Sequence, residues 1–311
     1  MNINTKKFIQ EKIQEIKNLV GKERAVVATS GGVDSFTCMI LGDKALKRRL
    51  VAVTIDTGLM REKEPGKVAE MGMDLGLKIK IIRAQKTFFQ MLKGIEDPEE
   101  KRIAFREAFY QTLGKVVKKE KTPFLIQGTI KADIIETQKG IKTQHNVLEQ
   151  IGINAQKYGL SVIEPLRGLY KPEVRNVARV LGLPKKAWNR MPFPGPGLAL
   201  RIIGEVTPER VKIVRRAHVI VEKELARLKP FQCFAVLLND KATGMKNGKR
   251  VFGDIIIVRS VESKDAMIAK ATKVPWKSLE IIQRRITSKI PTVVKVLFDI
   301  TPKPPSTIEY I

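Results

Sequence analysis

One short segment limits what this chain can fold into more than any other. Ser30-Gly31-Gly32-Val33-Asp34-Ser35 stands between the apolar run Ala25 to Thr29 and a helix-compatible run beginning Phe36-Thr37-Cys38-Met39. A buried strand that turns through two glycines into a helix aims the N–H groups of the turn and of the helix N-terminus at one point, which makes an anion site. Ser30 and Ser35 add hydroxyl donors, and Asp34 adds a hard oxygen of the kind that suits magnesium. The loop is built for a phosphate chain, and since no G-x-x-x-x-G-K-[ST] run occurs it is not a Walker loop.

Such a turn belongs at the carboxyl edge of a parallel sheet, where ligands bind near the switch in strand order. The neighbouring sequence predicts that sheet. Apolar runs at Ala25 to Thr29, Leu50 to Ile55, Ile79 to Arg83, Phe124 to Gln127 and Ser161 to Glu164 read as buried strands, with helical patterns between most of them. Ahead of them Phe8, Ile9, Ile13, Ile16, Leu19 and Val20 keep helical spacing over Thr5 to Val20, and Gly21 stands where that helix would stop. The expected fold class is α/β, a doubly wound parallel sheet followed by a smaller α+β domain. Met191-Pro192-Phe193-Pro194-Gly195-Pro196-Gly197 can continue neither a helix nor a central strand, so the domains are expected at 1–190 and 191–311. In the second, Thr207-Pro208 reads as an N-cap with proline at the first helical position, opening a helix to about Leu228. Cys233 to Leu238, Asp254 to Val261 and Val293 to Ile300 read as strands, Trp276 to about Lys289 as a helix, and Thr137 to Gly159 as a long loop.

Composition narrows the chemistry. With 311 residues, 43% of them hydrophobic, the chain can fill two cores. It has no apolar run long enough to span a bilayer and no signal-like N-terminus, so a cytoplasmic protein is expected. Two cysteines, Cys38 and Cys233, and two histidines, His145 and His218, cannot build a disulfide framework or a close zinc site, so a catalytic metal should be oxygen-bound. The 58 Lys+Arg against 32 Asp+Glu give a net charge of +26, which attracts polyanions. Two readings stay open: a lysine-rich surface of general composition, or a surface that holds RNA.

The hexapeptide resembles the pyrophosphate loop of the N-type ATP pyrophosphatases, whose fold is of the adenine nucleotide α-hydrolase kind. Further segments resemble the GMP synthetases of that superfamily: Gln127-Gly128-Thr129 with Asp133, Ile141 to Val147, Glu164-Pro165-Leu166, Lys171 to Arg175, Asn189 to Leu198, Arg201, Gly204 to Thr207 and Lys303 to Glu309. With no glutamine amidotransferase domain ahead of the loop, the likeness is to the archaeal-type separate subunit. It implies that ATP and Mg2+ adenylate xanthosine 5′-monophosphate, that ammonia from a separate amidotransferase subunit displaces AMP, and that the smaller domain forms a homodimer. Carried over by matching position, Ser30, Gly31, Gly32, Val33, Asp34 and Ser35 would hold pyrophosphate, with Gly128 and Thr129 beside them. Val53 to Asp56 would flank adenine, and Asp34 and Asp133 would lie near the metal. Lys142 and His145 would sit on a lid, while Arg190, Gln232, Lys303, Thr307 and Glu309 would contact the purine nucleotide. Thr143, Gln144, Leu148 and Glu149 replace the serine, first histidine and both glycines usual in that lid, and Lys131-Ala132 replaces the usual pair before the metal aspartate. A paralogue that adenylates another nucleotide or an RNA base, and a non-catalytic RNA-binding relative, are the alternatives.

Overall fold

Short runs of β-branched and aliphatic residues build five strands: β1 Ala25–Ala28, β2 Leu50–Asp56, β3 Ile79–Arg83, β4 Phe124–Ile126 and β5 Ser161–Ile163. The computed structural model describes residues 4–138, 159–188, 190–264 and 266–311. The five strands lie in the order β3-β2-β1-β4-β5, every neighbouring pair parallel. The order reverses at β1, whose carboxyl end runs straight into the Ser30–Ser35 turn.

Helices cover both faces because successive strand residues point opposite ways. Ala25 and Val27 face a core with Ile9, Ile16 and Val20 of α1 (Thr5–Val20), most of α2 (Val33–Leu46), Val68 and Met71 of α3 (Glu64–Asp74), and Val174 and Val177. Val26, Val51, Val53 and Leu125 face the other core with Tyr110, Leu113, Val116 and Val117. Among the described residues the remaining α-helices up to the proline-rich segment are α4 Gln85–Met91, α5 Pro98–Glu120, α6 Lys131–Gln138, α7 Lys171–Val180 and α8 Lys185–Trp188. Asn4 caps α1 by accepting from the Lys7 N–H, and Gly21 ends it at φ +57°, as its spacing predicts.

By internal contacts the chain forms two units. The first contains Met1–Thr57, Lys63–Ala84 and Arg106–Arg190; the second contains Gly58–Glu62, Gln85–Phe105 and Met191–Ile311. Two segments expected in the first domain therefore group with the second, for visible reasons. Leu59 O accepts from the Leu198 N–H, Lys101 is buried with its ammonium on Ile202 O (2.8 Å) and Gly204 O (2.7 Å), and Arg102 donates to Ile311 O.

The second unit carries α9 Pro208–Leu225, β6 Gln232–Lys246, β7 Lys249–Glu262, β8 Lys270–Ala271, α10 Trp276–Lys289 and β9 Val293–Asp299. Thr207 caps α9 through its side chain, as read from Thr207-Pro208. β7 pairs antiparallel with β6 and β8 and parallel with β9. β6 and β7 run much longer than the short strands expected. A register shift between Leu237 and Lys241 carries the polar Asn239-Asp240 stretch inside the ladder, and Asn247 and Gly248, both at positive φ, close a two-residue hairpin turn. Among the described residues no helix is long and apolar enough to cross a membrane.

Candidate functional site

The turn after β1 is drawn around the Ser35 hydroxyl. That group donates to Gly32 O at 3.0 Å, accepts from the Ser30 N–H at 3.3 Å, and lies 3.2 Å from the Thr29 hydroxyl. Gly32 stands at the N-cap of α2 with no side-chain cap bond, and the first bond of the helix is Phe36 N–H to Gly32 O at 3.0 Å. The leading N–H groups at Val33, Asp34 and Ser35 thus lack helical acceptors, at the positive end of the macrodipole. Ser30 is exposed, which opens this end to a ligand.

Glycine is required at two places. Gly31 has φ +84°, and a Cβ there would come within 2.6 Å of Arg190 Nη1 and 2.7 Å of Val68 Cγ2. A Cβ on Gly128 would press on the Asp34 carbonyl carbon (3.0 Å) and the Ser35 nitrogen (3.1 Å). Gly128 belongs to the segment that follows β4, and its bare backbone forms the wall of the turn. Gln127 Nε2 donates to the Thr129 hydroxyl at 3.1 Å, and that hydroxyl donates to Glu164 at 2.5 Å, so the wall is tied to the end of β5.

Asp34 is the polar centre of the site. Its Oδ2 accepts from the Lys171 ammonium, whereas its Oδ1 is buried without a hydrogen-bond partner among the described residues. Burial raises its carboxyl above the ordinary value, the Lys171 charge pulls it back, and the nearby Asp133 charge adds to the rise. An orphaned carboxylate oxygen with a second carboxylate close by could supply oxygen ligands to a hard divalent cation. Asp133 also serves its own helix, its Oδ2 accepting from the Ile130 N–H at 2.9 Å.

The remaining sequence-derived positions divide. The Val53 side chain is buried in the core and its carbonyl accepts from the Thr29 N–H, so only backbone at this position borders the turn. Asp56 ends β2, its carbonyl bound to the Ala84 N–H. Arg190, expected at a purine nucleotide, donates from Nη1 to Gly31 O at 3.0 Å and pairs through Nη2 with the buried Glu64. It supports the anion turn. Lys142 and His145 lie outside the described residues.

In the second unit Gln232, Thr307 and Glu309 are joined by hydrogen bonds about the C-terminal segment, and Lys303 lies on the same segment with partners of its own. Glu309 accepts from Gln232 Nε2 and from Arg201 Nε (3.3 Å) and Nη2 (3.2 Å). The Lys303 ammonium donates to Ala266 O at 2.8 Å, and the Thr307 hydroxyl to Glu309 O. Arg201 is fully buried, with its guanidinium 4.7 Å from the Phe193 ring centre and 4.3 Å from that of Phe234. Its Nη1 lies 3.3 Å from His218 Nδ1, and His218 Nε2 lies 3.1 Å from Glu222, which Arg61 also binds at 2.9 Å. A neutral ring protonated on Nε2 satisfies both neighbours. Burial pushes the imidazole down to about 4, and Glu222, beside Arg61 and this ring, is held down to about 2. Both cysteines are buried, Cys38 with its thiol pushed well up by burial and Cys233 pushed up to about 12, so neither is poised as a thiolate.

Residues 5–188 match the PP-loop domain family, and residues 220–310 match the GMP synthase C terminal domain family. Similar proteins include three archaeal chains, each named as one subunit of a glutamine-hydrolysing GMP synthase. That of Methanopyrus kandleri is 50% identical, over 98% of this chain and 98% of its own; that of Archaeoglobus fulgidus is 52% identical, over 99% and 100%; that of Pyrococcus furiosus is 51% identical, over 98% and 97%.

The geometry sets two expectations. Gly128→Ala should push the Asp34–Ser35 backbone out of line and weaken pyrophosphate binding by about tenfold or more, a loss of at least about 1.4 kcal/mol. Gly66→Ala, where a Cβ meets nothing within 4 Å, should leave binding unchanged; calorimetric titration of both variants checks this. The second expectation concerns pH. His218 titrates at about 4 when folded against 6.5 when free, so the unfolded chain takes up the proton first. Stability is intact above pH 6.5 and falls as pH drops from 6.5 to 4, by about 3 kcal/mol. Denaturant unfolding across that range should show this extra loss relative to His218→Gln, and equal profiles would refute it.

Proposed function

Since the chain belongs to the GMP synthase family, with its PP-loop and GMP synthase C terminal domains, we propose that it adenylates xanthosine 5′-monophosphate with magnesium ATP and aminates the product with ammonia, giving GMP and AMP in the cytoplasm. The observation that carries the first step is the uncapped N-terminus of α2, ringed by the Ser30 and Ser35 hydroxyls and walled by Gly128. A pyrophosphate group fits these donors. The xanthine O2 attacks the α-phosphorus, the bond from that phosphorus to the bridging oxygen breaks, and the charge that grows on departing pyrophosphate meets N–H groups already aimed at it. Ammonia then adds at C2, the C2–O bond breaks with its electron pair leaving on AMP, and the added nitrogen loses its surplus protons.

Asp34 and Asp133 would hold the magnesium ion, which when bound supplies Lewis-acid neutralisation of phosphate oxygens. The orphaned Asp34 Oδ1 supports this assignment. Lys171, paired with Asp34, brings a cation to the same place, and Lys142 and His145 enter the proposal through their sequence positions alone. Backbone at Val53 to Asp56 would flank adenine, with Thr129 fixing the Gly128 wall. Gln232, Lys303, Thr307 and Glu309 would recognise the purine nucleotide, ammonium and amide donors meeting its anionic and carbonyl groups and the carboxylate its N–H or ribose hydroxyls. Arg190 is left to the pyrophosphate turn.

The relatives' names, each that of one subunit of a glutamine-hydrolysing enzyme, support a separate amidotransferase that delivers the ammonia. A homodimer through the second unit is supported by its exposed Met245, Phe252, Trp276 and Ile300. Likeness over almost the whole chain favours a free nucleotide acceptor over RNA.

Asp34→Ala should lower xanthosine-monophosphate-dependent AMP formation by about a thousandfold or more while the unfolding midpoint stays within a few degrees. In the unaltered protein AMP formation should require that nucleotide and ammonium and should not respond to transfer RNA. Near-normal turnover of the variant would sink the loop assignment; stimulation by transfer RNA alone would sink the acceptor. Sedimentation should give a dimer at micromolar concentration, and a monomer there would refute the pairing.

A further inference from the structure

Arg259, towards the carboxyl end of β7, is fully buried yet spends its guanidinium almost wholly on chain carbonyls. Nε donates to Ile308 O at 2.9 Å, Nη1 to Thr301 O at 3.1 Å, and Nη2 to Thr307 O. Its charge is met by Asp299, its register partner across the β7–β9 ladder. Residues 300–311 form no regular element, and the Pro302, Pro304 and Pro305 nitrogens cannot donate. The segment is held by an isolated bridge between Lys303 and Ala269, with both N–H groups donating to the opposite carbonyls, by Arg102 on Ile311 O, by Gln232 and Arg201 on the Glu309 carboxylate, and by the Arg259 fork on two consecutive carbonyls just ahead of Glu309. Thr307 and Ile308 immediately precede Glu309. The orientation of a side chain on an irregular segment is set in part by the backbone beneath it, and at Thr307 and Ile308 a buried cation binds that backbone.

We infer that Arg259 is a positioning residue for the acceptor: by clamping the carbonyls of Thr301, Thr307 and Ile308 it fixes the directions in which Thr307 and Glu309 present their side chains to the purine nucleotide. The inference rests on the acceptor role proposed above for Thr307 and Glu309. It adds a residue that never touches the nucleotide. A planar guanidinium can serve three carbonyls and a carboxylate at once, whereas a lysine ammonium has three donors on a point charge and cannot reproduce the fork.

The test is steady-state AMP formation with xanthosine 5′-monophosphate for Arg259→Met, Arg259→Lys and Asp299→Asn, alongside thermal unfolding. An interaction that orders the acceptor groups is felt in KM for that nucleotide. Arg259→Met should raise it by about thirtyfold and Arg259→Lys by about fivefold, with KM for ATP within about twofold and kcat at saturating acceptor within about threefold. Asp299→Asn keeps the arginine in place and should raise the acceptor KM by about threefold, so the series still decides the matter if Arg259→Met does not fold. Amide exchange at Ser306 to Ile311 should quicken in Arg259→Lys and slow again on saturation with the nucleotide. Equal rises in both KM values, or an unchanged acceptor KM in folded Arg259→Lys, would overturn the inference alone. A wild-type protein that gives no xanthosine-monophosphate-dependent AMP would overturn the acceptor reading, and this inference with it.

Discussion

The first unit depends on a helix N-terminus that must be left unsatisfied by its own chain. An uncapped end costs stability, and most helices close it with a serine, threonine or aspartate. α2 begins at Gly32 with no side-chain cap, although Ser30 and Ser35 both stand beside it. The Ser35 hydroxyl is turned back onto Gly32 O and so shapes the turn instead of closing the helix. Everything around it keeps that opening in one shape. Arg190 grips the Gly31 carbonyl from outside, Glu64 fixes Arg190, and Gly128 approaches too closely for any side chain to intervene. The parallel order β3-β2-β1-β4-β5 makes this possible, since β4 runs beside β1 and delivers Gly128 to the same edge.

The second unit uses its charges in the opposite way. Arg201, Arg259 and Lys101 are fully buried and closed upon internal partners. Burying a cation is costly unless carboxylates or carbonyls replace its water, and each of these has such partners. The return is conformational. Residues 202–204 and the C-terminal segment form no long regular element of their own, so directional bonds from buried donors fix their carbonyls in addition to the packing of Ile202, Ile203 and Tyr310. Buried charge pairs contribute little net stability on average, and their value here lies in fixing backbone geometry.

What the sequence made legible follows the same physics. Runs with a single periodicity were readable: α1 coincides with its expected bounds, and the five parallel strands agree within a residue or so at each end. The β6–β7 hairpin was read short because Asn239-Asp240 and Asn247-Gly248 look like loops, and only the partner strand reveals a bulge and a turn. The grouping of 58–62 and 85–105 with the second unit rests on contacts far apart in sequence, such as Lys101 with Ile202, that no local pattern encodes. The anion turn was legible residue by residue, because its chemistry lies within six consecutive positions. Arg190 was read as a nucleotide contact from the family resemblance, and its bond to the Gly31 carbonyl, 159 residues away in sequence, is one that no local pattern encodes. Arg259 gave no signal at all, being one basic residue inside an apolar strand.

The net charge of +26 remains to be placed, and the burial pattern does so. The fully buried basic side chains are few and internally compensated, so the excess lies at the surface, where it acts as a field and not as a set of contacts. In the proposed reaction ATP, the purine nucleotide, pyrophosphate and AMP are all anions. A positive field raises the encounter rate of such substrates, and it does so at no cost to selectivity because it acts on charge alone. Selection among anions must then come from short-range groups whose geometry is fixed. In the proposed reaction those would be the α2 turn for a phosphate chain and the clamped C-terminal segment for the acceptor. A basic surface on this chain therefore needs no nucleic acid to account for it, and in the proposed reaction the choice of acceptor would rest with Gln232, Lys303, Thr307 and Glu309.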